Sequence, residues 1–181
     1  MSFFNSAETM SRASIEDLQL ARLKETLAHV YKNGPYFRKK FDDAGVEPGD
    51  VKSLDDLSKL PFMSKEDFRA GYPLEMLCVP QEELREMHMS SGSTGTPVVM
   101  AYTQADLEQW AECVARCYRM AGMEKGESVQ ITPSFGLFNG GFGAYHGARK
   151  ADLFIIPAGA GNTDRQIKLI NDFKVKCLLG V

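Results

Sequence analysis

The sequence has no C-x-x-C pair. Its four cysteines are Cys113 and Cys117, four apart in a predicted helix, and the isolated Cys78 and Cys177. That spacing supports neither a zinc site nor a disulfide framework, so buried or idle thiols in a reducing compartment are expected. His29, His88 and His146 lack ligand spacing; each is expected to be structural or exposed, and no metal site is expected. No apolar run approaches the length of a membrane span, and MSFFNSAETMSRAS at the N-terminus has no signal-peptide core. The expectation is a cytoplasmic protein without a membrane partner. With 21 basic and 24 acidic residues, the net charge is −3 and no basic block occurs, which argues against a nucleic-acid partner. No G-x-S-x-G is present, so a serine nucleophile would lack its strained elbow.

What the sequence does have is 181 residues, enough for about one domain, with 44% hydrophobic residues to build a core. Its most unusual stretch is SSGSTGTP, Ser90 to Pro97: two glycines, one proline and five hydroxyl side chains in eight residues. Glycines allow positive φ and close approach of the backbone. Freed N–H groups and hydroxyls can then converge on an anion, phosphate above all. Met87 to Met89 before it and Val98 to Tyr102 after it read as strands, so the loop is the tip of a hairpin-like turn. The common P-loop needs a lysine and runs into a helix. This loop has no lysine and is followed by a strand. A plain serine/glycine surface turn is the alternative reading.

The chain before the loop is α-rich. Ser14-Ile-Glu-Asp17 is a capping-box-like start, and Leu20, Leu23, Leu27, Val30 and Tyr31 follow at helical spacing. Asn33-Gly34-Pro35 stops that helix. A short second helix around Tyr36, Phe37, Lys40 and Phe41 ends near Gly45. From Glu47 to Pro80, Pro48, Pro61, Pro73 and Pro80 break the chain into short helices and turns, with Ser64-Lys-Glu-Asp67 as another cap signal.

After the loop the pattern changes. Thr103-Gln-Ala-Asp106 caps a long helix with the stripe Leu107, Trp110, Ala111, Val114, Cys117, Tyr118 and Ala121, ended by Gly122. Ser128 to Thr132 is a strand, Gly140 to Lys150 a helix, and Asp152 to Ile156 a strand. Thr163-Asp-Arg-Gln166 caps a helix with Ile167, Ile170 and Phe173 inward, and Val175 to Val181 is a last strand. This alternation predicts an α/β fold with a parallel, mixed-edge sheet and helices on both faces. The expected division is an α-rich segment over residues 1–85 and a partial α/β domain over 86–181. Ending on a strand that wants cover on both faces, the chain is expected to be the front part of a larger domain.

Gly141-Phe-Gly143-Ala-Tyr-His-Gly147 gives G-x-G-x-x-x-G, near the dinucleotide fingerprint. Seven residues, Pro133 to Asn139, intervene after the preceding strand, and no acidic residue ends the next strand, where Ile155-Ile156-Pro157 stands. Close helix–sheet packing at small residues is the competing reading.

SSGSTGTP resembles the SSGTTGKP phosphate loop of adenylate-forming acyl-CoA ligases. Leu60 to Pro73, Tyr102 to Gly122, Phe135 to Ala148 and Ile156 to Phe173 resemble the phenylacetate–CoA ligase branch, in the same order along nearly the whole chain. The resemblance implies a truncated version of that superfamily's large N-terminal domain. It also implies a two-step reaction: a carboxylate attacks the α-phosphate of ATP, and coenzyme A thiol then displaces AMP. Ser90, Ser91, Gly92, Ser93, Thr94, Gly95 and Thr96 would hold the ATP phosphates. Phe135, Gly136, Phe138, Gly140 and Gly141 would line the acyl pocket, with the glycines giving room for a ring. ATP, Mg²⁺ and coenzyme A are the implied cofactors of a complete enzyme, and an aryl carboxylic acid its small-molecule partner. Thr96 stands where the loop commonly has lysine, and Pro133 where a second aromatic is expected.

Family members are much longer. The adenine-binding segment, the ribose aspartate, the hinge and the C-terminal domain with its catalytic lysine have no counterpart here, so no catalytic residue is assigned. A fragment, a truncated product or one part of a split enzyme is expected, inactive alone and pairing as a homodimer or with a complementary C-terminal chain. A non-catalytic anion- or partner-binding module and a dinucleotide oxidoreductase are the alternatives.

Overall fold

A computed structural model describes residues 3–92 and 95–180. The chain divides into two compact units. One comprises Thr9–Leu84 and Gly92–Ala101; the other comprises Met1–Glu8, Arg85–Ser91 and Tyr102–Val181.

The first unit is helical. Helix α1 (Arg12–Asn33) starts where Ser11 accepts a hydrogen bond from the Ser14 N–H. The cap is therefore Ser11 and not the expected Ser14. Both serines have helix formers behind them, and only the earlier one adopts the extended cap conformation. Gly34 ends α1, and Pro35 opens α2 (Pro35–Ala44), where its missing N–H costs nothing. Gly45 closes α2 in the left-handed conformation. Leu27, Phe41 and Val51 form the buried core of this unit, flanked by Leu20, Leu23, Tyr31 and Leu60.

A short helix, α3 (Lys65–Ala70), is capped as expected by the Ser64–Asp67 box. The Asp67 carboxylate collects more than the cap. It accepts from the Ser64 N–H and hydroxyl, from the Tyr36 hydroxyl at 2.8 Å, and pairs with Lys40 at 2.8 Å. Lys40 also donates to the Phe62 carbonyl. The Lys40 ammonium and these donors hold Asp67 well below the usual carboxylate range.

Strands β1 (Leu84–Met89) and β2 (Val99–Thr103) form a two-stranded sheet. Helix α4 (Gln104–Met120) follows β2 directly, with Thr103 and Asp106 forming the expected capping box. Its buried residues are Leu107, Ala111, Ala115 and Tyr118. Cys117 and Ala121, expected in the stripe, are exposed, and Ala115 takes the inner position instead.

The second unit is built on three parallel strands in the order β4-β3-β5: β3 (Ser128–Ile131), β4 (Phe154–Ile156) and β5 (Cys177–Leu179). Val129 sits opposite Ile155 and Cys177. Helix α5 (Asn139–Lys150) connects β3 to β4, and α6 (Thr163–Phe173) connects β4 to β5. Because strand side chains alternate, Val129 and Ile131 face one layer. They pack with Ala115 and Tyr118 of α4 and with Ala144 and Ala148 of α5. Gln130 faces the other layer, where its amide donates to the main chain and side chain of Gln166 on α6. The sheet is thus covered by helices on both faces, as expected for an α/β fold.

The two layers differ in quality. On the α6 side, Phe154, Ile167, Phe173 and Leu178 are all about half exposed. Ile167 and Phe173 were expected inward. The helix is strongly amphipathic, but its stripe extends beyond what three short strands can cover. Its cap is Asn162, which accepts from the Arg165 N–H, not Thr163. All four cysteines are free; Cys113 and Cys117 are exposed, Cys78 and Cys177 half-buried. Among the described residues, no helix is long and apolar enough to cross a membrane.

Candidate functional site

The expected phosphate loop leaves β1 at Met89. Ser90 is half-buried and Ser91 exposed. Gly92 has φ +65° and Gly95 φ +127°, conformations that favour glycine. The Gly95 N–H donates to the Gly92 carbonyl at 3.0 Å, closing a tight turn that consumes one of the loop's donors. A Cβ on Gly92 would lie 3.2 Å from the Gly95 carbonyl oxygen, so the turn is compact. Thr96 is exposed. Ser93 and Thr94 lie outside the described residues.

The expected acyl segment begins just beyond β3. Phe135 packs edge-on to Phe142 (centroids 5.6 Å apart) and Tyr145 (6.3 Å). Phe138 is half exposed and precedes α5 as its N-terminal flanking residue. The three glycines are not alike. Gly136 has open space where a Cβ would stand. At Gly140 the nearest atom is Pro133 Cβ, at an ordinary 3.6 Å. At Gly141 a Cβ would lie 2.5 Å from the Ser134 carbonyl oxygen. Gly136 is exposed and faces open space, whereas at Gly141 that space is taken by the backbone of its own chain.

The end of β1 is tied to the acyl segment. The Met89 N–H donates to the Leu137 carbonyl at 2.8 Å, and both residues belong to the parallel-sheet unit. Ser90 and Ser91 are thereby brought next to the 135–141 segment.

Behind this bond lies a cluster that the sequence did not reveal. His88 is 3% exposed. Its ring contacts Tyr102, Trp110 and Phe142 at centroid distances of 5.8, 5.7 and 5.4 Å. Tyr102 stacks on Trp110 at 5.2 Å; burial raises the Tyr102 pKa, and a hydrogen bond with Asn139 opposes that rise. Glu86 bridges two histidines: His146 Nε2 lies 2.9 Å from Oε1, and His88 Nε2 lies 3.3 Å from Oε2. The only available signal was the i, i+2 pairing of Glu86 and His88 on one face of a strand. His146 is 60 residues away and carries no pattern of its own.

The G-x-G-x-x-x-G run does not make a dinucleotide loop. Gly141, Gly143 and Gly147 all lie inside α5. A Cβ on Gly143 would lie 2.4 Å from the Trp110 ring, and one on Gly147 2.3 Å from Val114 Cγ1. These small residues let α5 pack tightly on α4. The contact is helix on helix, where helix on sheet was expected. Among the described residues no group of three or more His, Cys, Asp or Glu could hold a metal ion.

No family model matches the chain. The phenylacetate–coenzyme A ligase of Aromatoleum evansii is 47% identical over 167 residues, and that of Pseudomonas putida 45%. Each match covers 92% of this chain, which spans 38% of the length of these curated relatives. Among solved structures, 2-hydroxyisobutyryl-CoA ligase in complex with 2-HIB-AMP and CoA superposes with a TM-score of 0.89 at 30% identity, over 96% of this chain and 38% of that one. The same ligase in its postadenylation state gives 0.88 at 28% identity. By sequence and by fold, the chain corresponds to the N-terminal portion of the phenylacetate–coenzyme A ligase family.

Proposed function

We propose that this chain supplies the phosphate loop and one wall of the acyl pocket of an AMP-forming acid–thiol ligase acting on an aryl carboxylic acid. The observation that carries this reading is the Met89–Leu137 hydrogen bond, which joins the loop's entry to the acyl segment within one unit. In the first step the acid's carboxylate oxygen bonds to the α-phosphorus of ATP as pyrophosphate leaves. In the second, coenzyme A thiolate bonds to the acyl carbon as AMP leaves. Both steps depend on positioning and on neutralising charge.

In this reading, the N–H groups and hydroxyls from Ser90 to Thr96 carry part of the triphosphate charge. Thr96 offers a hydroxyl where a lysine would offer a full charge, so neutralisation falls to Mg²⁺ or to residues outside this chain. Phe135 walls the acyl pocket, Gly136 leaves space for the ring, and Phe138 closes the exposed side. The ribose aspartate and catalytic lysine have no counterpart among these residues, so the chain alone makes no acyl-CoA.

The half-exposed Phe154, Ile167, Phe173 and Leu178 support a partner on the α6 side, either a second copy or a complementary C-terminal chain. Contiguous apolar patches of this kind mark contact surfaces.

Thermal denaturation with ATP, pyrophosphate and NADP tests the proposal, since a ligand raises stability in proportion to the logarithm of its concentration over Kd. ATP and pyrophosphate are expected to raise Tm and NADP to leave it unchanged. Stabilisation by NADP alone would contradict the reading.

A further inference from the structure

The geometry points to Glu86, together with His146 and His88, as a positioning clamp that fixes where strand β1 delivers its chain into the phosphate loop. The role in ligand binding rests on the function proposed above; the clamp itself does not.

Two ties join the same pair of segments. Glu86 on β1 accepts from His146 on α5. Three residues along, Met89 donates to Leu137, two residues before α5 begins. One tie fixes a distance, but two fix both position and direction. The last residues of β1 therefore cannot swing relative to the acyl segment. Ser90 and Ser91 inherit that placement through two or fewer covalent links.

The hydrogen-bond chemistry makes the clamp specific. An ionised carboxylate only accepts. For both rings to donate to Glu86, His146 and His88 must each carry their proton on Nε2. The other ring nitrogen of His88, Nδ1, is buried without a partner. The ring is held by aromatic neighbours instead: Trp110 from α4, Phe142 from α5 and Tyr102 at the end of β2. A histidine needed only to fill space would not bring an unpaired nitrogen into such a site, where buried polar atoms are costly. A phenylalanine would fill it as well. The ring is there for its Nε2, which reaches the carboxylate. Loss of Glu86 would strand two ring N–H donors in a largely apolar setting and remove one of the two ties.

In this proposal the three residues act through the loop and not on substrate. The prediction is local. Weakening the clamp should free the Met89 N–H before it disturbs the sheet.

The test is amide hydrogen exchange of the 181-residue chain, comparing Met89 with Val129 and Ile131 of β3. Exchange reports local opening separately from global unfolding. His146→Phe keeps the ring and removes the donor; Glu86→Ala removes the acceptor. Each should speed Met89 exchange by about tenfold or more, leaving Val129 and Ile131 unchanged. His146→Gln restores an N–H donor and should return Met89 to within about threefold of the parent. The clamp is refuted if Met89 exchange stays within about twofold in both disruptive variants, or if all three amides accelerate together, which would mean an ordinary structural contact.

A second titration, with pyrophosphate, separates the two readings. If the parent binds, His146→Phe should weaken binding by about the factor seen at Met89, and His146→Gln should not; equal affinities in all three would detach the clamp from the site. If the parent does not bind, the phosphate-loop reading fails and the exchange result still decides the clamp.

Discussion

Two glycine-rich stretches, Ser90 to Pro97 and Gly140 to Gly147, put glycine to opposite uses. In the first, Gly92 and Gly95 take positive φ, and the space where a Cβ would stand on Gly95 is open. There the backbone conformation requires glycine. In the second, Gly143 and Gly147 are ordinary helical residues whose missing Cβ atoms are replaced by Trp110 and Val114. There the packing requires glycine. In the proposed function the first stretch faces a ligand, whereas in the second the neighbouring helix fills the space a side chain would take. Composition cannot distinguish them, since both are dense in small residues. Their surroundings can: turn-forming hydroxyls and proline around one, and a helical period around the other.

Substitution should separate the two uses. The largest effect is expected at Gly147. Gly147→Ala places a methyl within 2.3 Å of Val114 Cγ1 and 3.0 Å of the Val114 carbonyl carbon. Overpacking of this kind costs about 1–3 kcal/mol, and contact with backbone puts it at the upper end. Urea unfolding should show a lower midpoint, with pyrophosphate binding retained by the folded fraction. Gly95→Ala meets no neighbour but must adopt φ +127°. Its cost should be about 1–2 kcal/mol of backbone strain, and here anion binding should fall while the sheet core stays intact. If Gly147→Ala proves harmless, or Gly95→Ala leaves binding unchanged, the comparison collapses.

Tyr118→Phe should cost less. Its hydroxyl donates to the Ala144 carbonyl at 3.2 Å between α4 and α5, and burial pushes its pKa far up. Loss of one such neutral bond costs about 1 kcal/mol. The near-ultraviolet signal should be otherwise native.

The smallest effect is expected at the Asp67 knot, whose contribution is present at neutral pH and lost in acid. Its folded pKa lies below the ordinary 3.8. The stability it contributes is therefore present above that value and lost as pH falls through the folded one. Asp67→Asn should flatten the acid dependence of the helical unit's stability below about pH 4. An unchanged acid profile would mean that the Lys40 and Tyr36 bonds carry no linked stability.

How much was legible depends on how local the signal is. The Thr103–Asp106 and Ser64–Asp67 boxes, the stop at Gly34-Pro35 and the left-handed cap at Gly45 are written within four or five residues. Each appears where the pattern puts it. Ser11 and Asn162 were missed in favour of neighbouring hydroxyl residues, because a cap is chosen by backbone conformation as well as residue type. The stripe of α6 identified its apolar face, but a stripe does not say whether anything covers it. Hence Ile167 and Phe173 are exposed. The site divides in the same way. The loop's glycines and hydroxyls are contiguous and could be read. The Glu86–His146 pair is made by tertiary folding across 60 residues, and no local rule contains it.

The most direct test of the account is an NMR titration of the 181-residue chain with pyrophosphate. The account predicts that the amide resonances of Ser90, Ser91, Gly92, Gly95 and Thr96 shift together and saturate, while those of Gly143 and Gly147 do not move. Resonances that stay fixed in the loop, or that move in α5 instead, would contradict it.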